Sequence, residues 1–454
     1  MTNYTRHPAS YRDPAGFVWV MNGQVYRQVN QSYAADYDLF TNSGLYQDLV
    51  NKKLLIAHSE INENLTGTKD WYKTLLPQKI NFISYPYEWS FAQLKDAALL
   101  TLNIAKSSIE RGMILKDATP YNIQFLEGKP VMIDTLSFTK YDASKPWIAY
   151  RQFCETFLYP LFLEKFNKLI VHQTFSAWPD GIPASETACI LPSGARFNLA
   201  AWLHIYLQTM VDKNKKQNKA DSGFDKKKML NLLQHLESTI KSLSPPASRK
   251  TVWSNYYDET ILGKDYLKAK EKLFTEYISD WKGKKVLDLG ANDGYFSRIM
   301  SENSAAVVSA DSDDRCIQSL YEARDKKILP LILDISNPSP AGGFLNKERK
   351  AFHDRISVDA VTALALIHHL AIGKNIPLDI LADYFNKIAP ELLIEFVPKE
   401  DPKVQELLKN REDIFNNYTV EAFEKEFSLY FEIIKNATIP GTSRRLYRMK
   451  RKNQ

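Results

Sequence analysis

The stretch Lys284-Lys-Val-Leu-Asp-Leu-Gly-Ala-Asn-Asp-Gly-Tyr-Phe-Ser-Arg-Ile-Met300 decides the fold, because an apolar, β-prone run passes straight into a glycine-bearing turn. Val286, Leu287 and Leu289 are side chains of a buried strand. Gly290 and Gly294 accept backbone angles that other residues resist, so the chain can turn sharply and leave room for a flat ligand close to the main chain. Phe296, Ile299 and Met300 then open a helix that packs on the strand. Strand, glycine turn and helix in that order predict a site that a nucleotide-like ligand can approach.

Toward the C-terminus the pattern repeats. Ala305–Ala310 reads as a second strand ending at Asp311, about 20 residues past the turn, where a carboxylate can accept hydrogen bonds from ribose hydroxyls. Leu329–Leu333 is a third, ending at Asp334, whose carboxylate suits an exocyclic amine. Val358–Ala363 is a fourth and runs into Leu364-Ala-Leu-Ile-His-His-Leu370, and Leu392–Val397, with Glu395 near its end, is a fifth. Strands alternating with helices predict a doubly wound parallel sheet, whose ligands lie beyond the carboxyl ends of the strands. Phe431–Ala437 and Arg444–Met449, joined through Pro440-Gly441, predict a closing antiparallel hairpin.

From about Thr251 to the C-terminus these motifs resemble class I S-adenosylmethionine-dependent methyltransferases. The resemblance implies a Rossmann-like α/β sheet of seven strands, S-adenosyl-L-methionine as cofactor and S-adenosyl-L-homocysteine as product. It places Asp288, Gly290, Asn292 and Gly294 in the loop that faces the methionine moiety, Asp311 at the ribose and Asp334 at the adenine, with Ala291, Tyr295, Phe296, Ser312, Ile335 and Ala365 as further cofactor-binding residues. A dinucleotide-binding domain is the competing reading of any such turn. Here the run is G-A-N-D-G rather than G-x-G-x-x-G, and dinucleotide domains lack the closing hairpin.

Methyl transfer needs in-line positioning, and a base only where the acceptor carries a proton. His368 and His369 follow the fourth strand, where such acceptors meet the cofactor, and are the candidate bases; Glu395 is a further candidate, with a purely structural hydrogen-bonding role as its alternative. No Asp/Asn-Pro-Pro-Tyr segment follows the fourth strand, and Asp359 opens that strand instead of ending it. Planar amines of adenine or glutamine, and ribose 2′-hydroxyls, are therefore disfavoured, which leaves an unidentified small-molecule or glycan-like acceptor ahead of nucleic acid. Adjacent histidines lack zinc-ligand spacing, so no metal is expected.

The N-terminal half is a different kind of sequence. Phe17–Tyr26 predicts a β-hairpin turning at Asn22-Gly23, and Leu94, Ala97, Ala98, Leu102 and Ala105 mark one face of a helix from Phe91 to near Gly112. Short strands follow at Met113–Leu115, Ile123–Leu126 and Val131–Ile133, and Trp147–Phe166 predicts a buried helix bent at Pro160. Asp117, Asn122 and Asp134 resemble the catalytic loop of kinase-like phosphotransferases, although no glycine-rich phosphate loop precedes them and Leu115-Lys116 stands before the first Asp. This resemblance implies an α+β kinase-like domain over residues 1–170 without phosphotransfer, then a helical extension with a lysine-rich loop over 171–250, and the methyltransferase domain over 251–454. An active phosphotransferase and an adenosyl-ligand-binding regulatory protein are the alternatives.

Asp13-Pro-Ala-Gly-Phe17, Tyr26-Arg-Gln-Val29, Ser43-Gly-Leu-Tyr46 and Ile394-Glu-Phe-Val-Pro398 also make the whole chain similar to bacterial methyltransferases of the nodulation host-specificity type. Composition agrees with a folded chain, since 454 residues with 44% hydrophobic and 25% charged side chains are those of a globular protein. A net charge of +6, with the run DKNKKQNKADSGFDKKK at 212–228 read as a solvated loop, does not point to nucleic acid. Cys154, Cys189 and Cys316 stand far apart, which fits a reduced compartment. Apolar stretches are too short for a membrane span, and the polar, proline-broken start lacks a secretory core, so the cytoplasm is the expected location.

Overall fold

The structure, a computed structural model, describes residues 4–213, 224–246, 263–409 and 411–452. The chain forms two compact units, residues 1–249 with 340–351, and residues 250–339 with 352–454.

In the first unit, β1 (Thr5–Arg6), β2 (Gly16–Met21), β3 (Gln24–Asn30), β4 (His58–Ile61) and β5 (Trp71–Pro77) form an antiparallel sheet of order β1-β2-β3-β5-β4. Asn22 and Gly23 turn the β2–β3 hairpin with φ of 52° and 73°, the left-handed pair that matches strand twist. The helix Phe91–Glu110 starts at a capping box, in which the Ser90 side chain accepts from the Gln93 N–H and the Gln93 side chain accepts from the Ser90 N–H. Two ribbons follow, β6 (Met113–Leu115) with β9 (Phe138–Lys140), and β7 (Ile123–Leu126) with β8 (Lys129–Met132). The helical run Tyr150–Asn167 contains a π turn at Cys154–Leu158 just before Pro160. The widened turn accommodates the N–H that Pro160 lacks.

Of the lysine-rich run, residues 214–223 lie outside the described residues, and Lys226–Lys228 form the first turn of the helix Lys226–Ser242. Asp225 starts that helix by accepting from the Lys228 N–H at 2.8 Å, so this part of the expected loop is helical. The expected boundary at residue 250, and the start of the methyltransferase resemblance at Thr251, also lie outside the described residues. Residues 340–351, which the sequence places in the C-terminal domain, group with the first unit: Glu348 pairs with Arg12 at 2.7 Å, and Arg349 with Asp180 at 3.5 Å.

The second unit contains one sheet of β10 (Lys285–Leu289), β11 (Ala306–Asp311), β12 (Ile328–Ile332), β13 (Ala360–Ala363), β14 (Glu391–Phe396), β15 (Phe431–Thr438) and β16 (Arg445–Arg451). Its order is β12-β11-β10-β13-β14-β16-β15, parallel from β12 to β14 and antiparallel at β16 and β15. This is a methyltransferase-like α/β fold. Helices Gly263–Tyr277 and Tyr295–Asn303 bring Phe274, Phe296 and Met300 into one buried cluster with Trp281, Val286 and Leu446. Burial of each large apolar side chain contributes about 1.5 to 3 kcal/mol, so the strand carrying the glycine turn is fixed from below.

Candidate cofactor site

Strand β10 lies between β11 and β13, which follow it in opposite directions across the sheet. Connections diverge at such a point and leave a crevice over the strand ends. A cleft of about 320 Å³ opens there, within the range of small-ligand sites. Asp288, Gly290, Ala291, Asn292, Phe296, Asp311, Ser312, Asp334, Ile335, Ala365 and His369 line it, all expected from the sequence.

The turn after β10 is built by backbone geometry. Gly290 (φ 73°) and Asn292 (φ 50°) are left-handed, and the N–H groups of Gly290 and Ala291 both donate to the Ala310 carbonyl, at 2.9 and 3.1 Å. Gly294 (φ 80°) answers a different need. A Cβ there would lie 2.3 Å from Leu320 Cδ1, so this glycine lets two helices meet, and neither it nor Tyr295 lines the cleft. Tyr295 instead donates to Glu271 at 2.7 Å.

The three strand-end acids differ in what holds them. Asp288 is buried and accepts from Ser297 Oγ at 2.5 Å and Thr362 Oγ1 at 2.6 Å. Burial raises its pKa above the ordinary carboxylate value, and its two hydroxyl bonds brace β10 against β13 and the following helix. Asp311 accepts the Asn292 N–H at 2.8 Å on one oxygen and the Asp313 N–H at 2.9 Å on the other. Each oxygen keeps a lone pair, while burial pushes the carboxyl up to about 6. Asp334 accepts Ser336 Oγ at 2.6 Å and Lys374 Nζ at 3.3 Å. Burial works to raise it, but the Ser336 bonds and Lys374 hold it below the usual carboxylate value.

The histidine pair divides at the wall. His369 lines the cleft, while His368 is fully buried behind it with neither ring nitrogen hydrogen-bonded, the two ring centroids being 4.1 Å apart. Burial, then the Arg444 and Lys403 charges, lowers His369 to about 4, so its ring is neutral at physiological pH. Glu395 does not reach the cleft. It is completely buried, with Oε2 against Lys270 Nζ at 2.6 Å and Oε1 accepting from Tyr266 at 2.8 Å and Arg444 at 3.4 Å. Its contacts are those of a structural hydrogen-bond acceptor.

Lys270 and Lys374 also line the cleft and were not expected from the sequence. A signal for Lys270 existed: Tyr266, Lys270 and Phe274 recur every four residues on the buried stripe of their helix, a place where a lysine needs a partner.

The expected loop residues of the first unit also come together. Asn122 Nδ2 donates to Asp117 Oδ2 at 3.1 Å and to Ser137 Oγ at 3.2 Å, and Ser137 Oγ donates to Asp134 at 2.7 Å. Asp134 is ion-paired with Arg27 of β3, and Lys116 with Asp13 at 3.2 Å. Asp134 thus spends its charge on an internal guanidinium. Among the described residues no helix is long and apolar enough to cross a membrane.

Sheet order, glycine turn and strand-end acids define the second unit as a class I methyltransferase fold. The whole chain is 33% identical to nodulation protein NoeA of Rhizobium meliloti (strain 1021), over 98% of this chain and 96% of that protein. The chain belongs to the family of nodulation protein NoeA. No family model matches it. Among solved structures it is similar to the N-methyltransferase NodS from Bradyrhizobium japonicum WM9 in complex with S-adenosyl-l-homocysteine, at 12% identity and a TM-score of 0.34 over 45% of this chain and 94% of that one. It is also similar to magnesium protoporphyrin IX methyltransferase (ChlM) from Synechocystis PCC 6803 with bound SAM, at 13% identity and a TM-score of 0.31 over 46% of this chain and 100% of that one.

Proposed function

We propose that the second unit binds S-adenosyl-L-methionine and that the protein transfers its methyl group to a small-molecule or glycan-like acceptor. One observation carries this: Asp311 and Asp334 stand at neighbouring strand ends beside a glycine turn, with lone pairs left on Asp311 for a diol. In this reading Asp311 accepts both ribose hydroxyls, Asp334 accepts the exocyclic amine, and Ile335 and Ala365 flank the base. When bound, the cofactor supplies a methyl group on a sulfonium centre. His369, neutral and on the cleft wall, accepts the acceptor's proton where it carries one, and His368 packs behind it to fix the ring. The polar machinery sits in a half-enclosed crevice, where partial exclusion of water favours positioning.

For the first unit we infer a kinase-like scaffold without phosphotransfer, serving to present the acceptor. The Arg27–Asp134 ion pair supports the loss of phosphotransfer, because the carboxylate of the kinase-like reading is already neutralised from within.

A thermal-shift comparison tests the cofactor assignment. The wild type is expected to melt several degrees higher with saturating S-adenosylmethionine or its demethylated product, since a ligand that binds only the native state stabilises it by about 2.7 kcal/mol at one hundred times Kd. Gly290→Arg, which fills the turn, is expected to lose that shift. An equal shift in both proteins would remove the cofactor from this cleft.

A further inference from the structure

The stretch 187–211 of the first unit has no acidic residue, and Arg196 is its one lysine or arginine. Within it Asn198 starts a helical run over 199–213 by accepting from the Ala201 N–H at 3.0 Å. One face of that run is anchored inward. Ala201, His204 and Ile205 are buried, the Tyr159 hydroxyl donates to the His204 carbonyl at 2.6 Å, and His204 Nε2 lies 2.9 Å from His235 Nδ1. The other face is apolar and exposed. Phe197, just before the run, is 92% exposed, Leu199 67%, Met210 53% and Trp202 41%.

These side chains belong to one patch with a basic edge. Trp202, Tyr206 and Met210 recur every four residues along the run, and the Arg196 guanidinium lies 5.5 Å from the Tyr206 ring centroid, which sets Phe197 beside that stripe. Asn167 Nδ2 donates to the Ile190 carbonyl at 2.7 Å. That bond brings the exposed Lys168 to the end of the helix Ala184–Ile190, directly before the turn Ser193–Phe197, whereas Glu186 lies in the first turn of the same helix.

Charge and shape select the occupant. A second copy laid on this face across a two-fold axis would set Arg196 and Lys168 against their own equivalents, with no acid in 187–211 to receive them. A side chain as exposed as Phe197 stands out from the surface, as a group that inserts and not as the wall of a pocket. Phenylalanine, leucine and tryptophan on one face with cations beside them form the pattern of an interfacial helix, whose apolar side enters a bilayer by about 5 to 10 Å. We propose that this face of the first unit docks on an anionic lipid surface, with Phe197, Leu199, Trp202 and Met210 entering the interfacial layer and Arg196 and Lys168 at the headgroup phosphates. Contact of this kind is peripheral and needs no membrane-spanning helix.

Co-sedimentation of the full chain with vesicles tests this, using phosphatidylcholine and phosphatidylglycerol in equal parts beside phosphatidylcholine alone. The wild type is expected to bind the mixed vesicles at least about tenfold better than the neutral ones, and less well as salt is raised. Phe197→Ser with Leu199→Ser is expected to weaken that binding about 10- to 100-fold, and Arg196→Gln about fivefold, both at the wild-type melting temperature because these side chains lie on the surface. Ile414→Ser, which removes an exposed apolar side chain of the second unit, is expected to bind as the wild type does. A folded wild type that binds no vesicles, equal binding to both kinds, or a double variant that binds as the wild type does would each overturn the lipid assignment. A dimer that forms with rising concentration and is abolished by the double variant, in a protein that does not bind vesicles, would give the face to a second copy instead.

Discussion

The acids of the two units come from the same kind of sequence signal and end in different states. Asp311 in the second unit and Asp134 in the first each follow an apolar strand and were each singled out by spacing. Asp311 accepts two backbone N–H groups, keeps a lone pair on each oxygen and faces an open cleft. Asp134 is taken up by Arg27, by Ser137 Oγ at 2.7 Å and by the Leu136 N–H at 3.0 Å. The second unit also contains a spent carboxylate, Glu395, so the contrast separates individual sites and not only domains. Spacing brings acids to a strand end; the partners they meet there decide whether they are available to a ligand.

Loss of a spent carboxylate should appear in stability, and loss of an available one in affinity. Glu395→Ala is expected to have the largest effect, about 3 to 5 kcal/mol in denaturant unfolding, because Lys270 would be left as a buried charge without its ion-pair partner. A cost below about 1 kcal/mol would show that Glu395 is not held as described. Asp311→Ala is expected to weaken S-adenosylhomocysteine about 10- to 100-fold by calorimetry, through loss of two hydrogen bonds to a charged acceptor. Wild-type affinity in this variant would erase the contrast with Asp134.

The state of Asp311 gives a sharper test. Its carboxyl lies at about 6, raised by burial, so it takes up a proton as pH falls through that value and then accepts ribose hydroxyls less well. Affinity for S-adenosylhomocysteine is expected to fall about tenfold from pH 7.5 to pH 5, as the ionised fraction drops, and a flat profile in the folded protein would contradict it. The smallest expected effect on affinity is that of Asp134→Ala. Unpairing Arg27 should lower the melting temperature of the protein, at a cost of about 1 to 3 kcal/mol, while S-adenosylhomocysteine binding stays within twofold of the wild type.

The second unit was legible because a parallel strand buried on both faces reads as a short apolar run, and its end is marked where the run meets Gly290, Asp311 or Asp334. The closing hairpin was legible for the same reason, β-prone runs flanking Pro440-Gly441. Pairings across distant segments were not. Lys270 lies 125 positions before Glu395, and nothing in either neighbourhood announces the other. Gly294 belonged to the turn by position, but its neighbour Leu320 on another helix gives it a packing role. In the first unit the loop residues were found, and their neutralisation by Arg27, on a strand of a separate sheet, was not. The grouping of residues 340–351 with that unit has a similar origin, since Glu348 and Arg349 reach Arg12 and Asp180, far away in sequence.

The most direct test of the central claim is the stoichiometry of S-adenosylhomocysteine binding to the intact wild-type chain, measured by titration calorimetry and repeated with Gly290→Arg. One site of micromolar affinity in the wild type, absent from the variant, is the expected result. No binding to the folded wild type, or one site that survives in Gly290→Arg, would contradict a cofactor cleft at the ends of β10, β11 and β12.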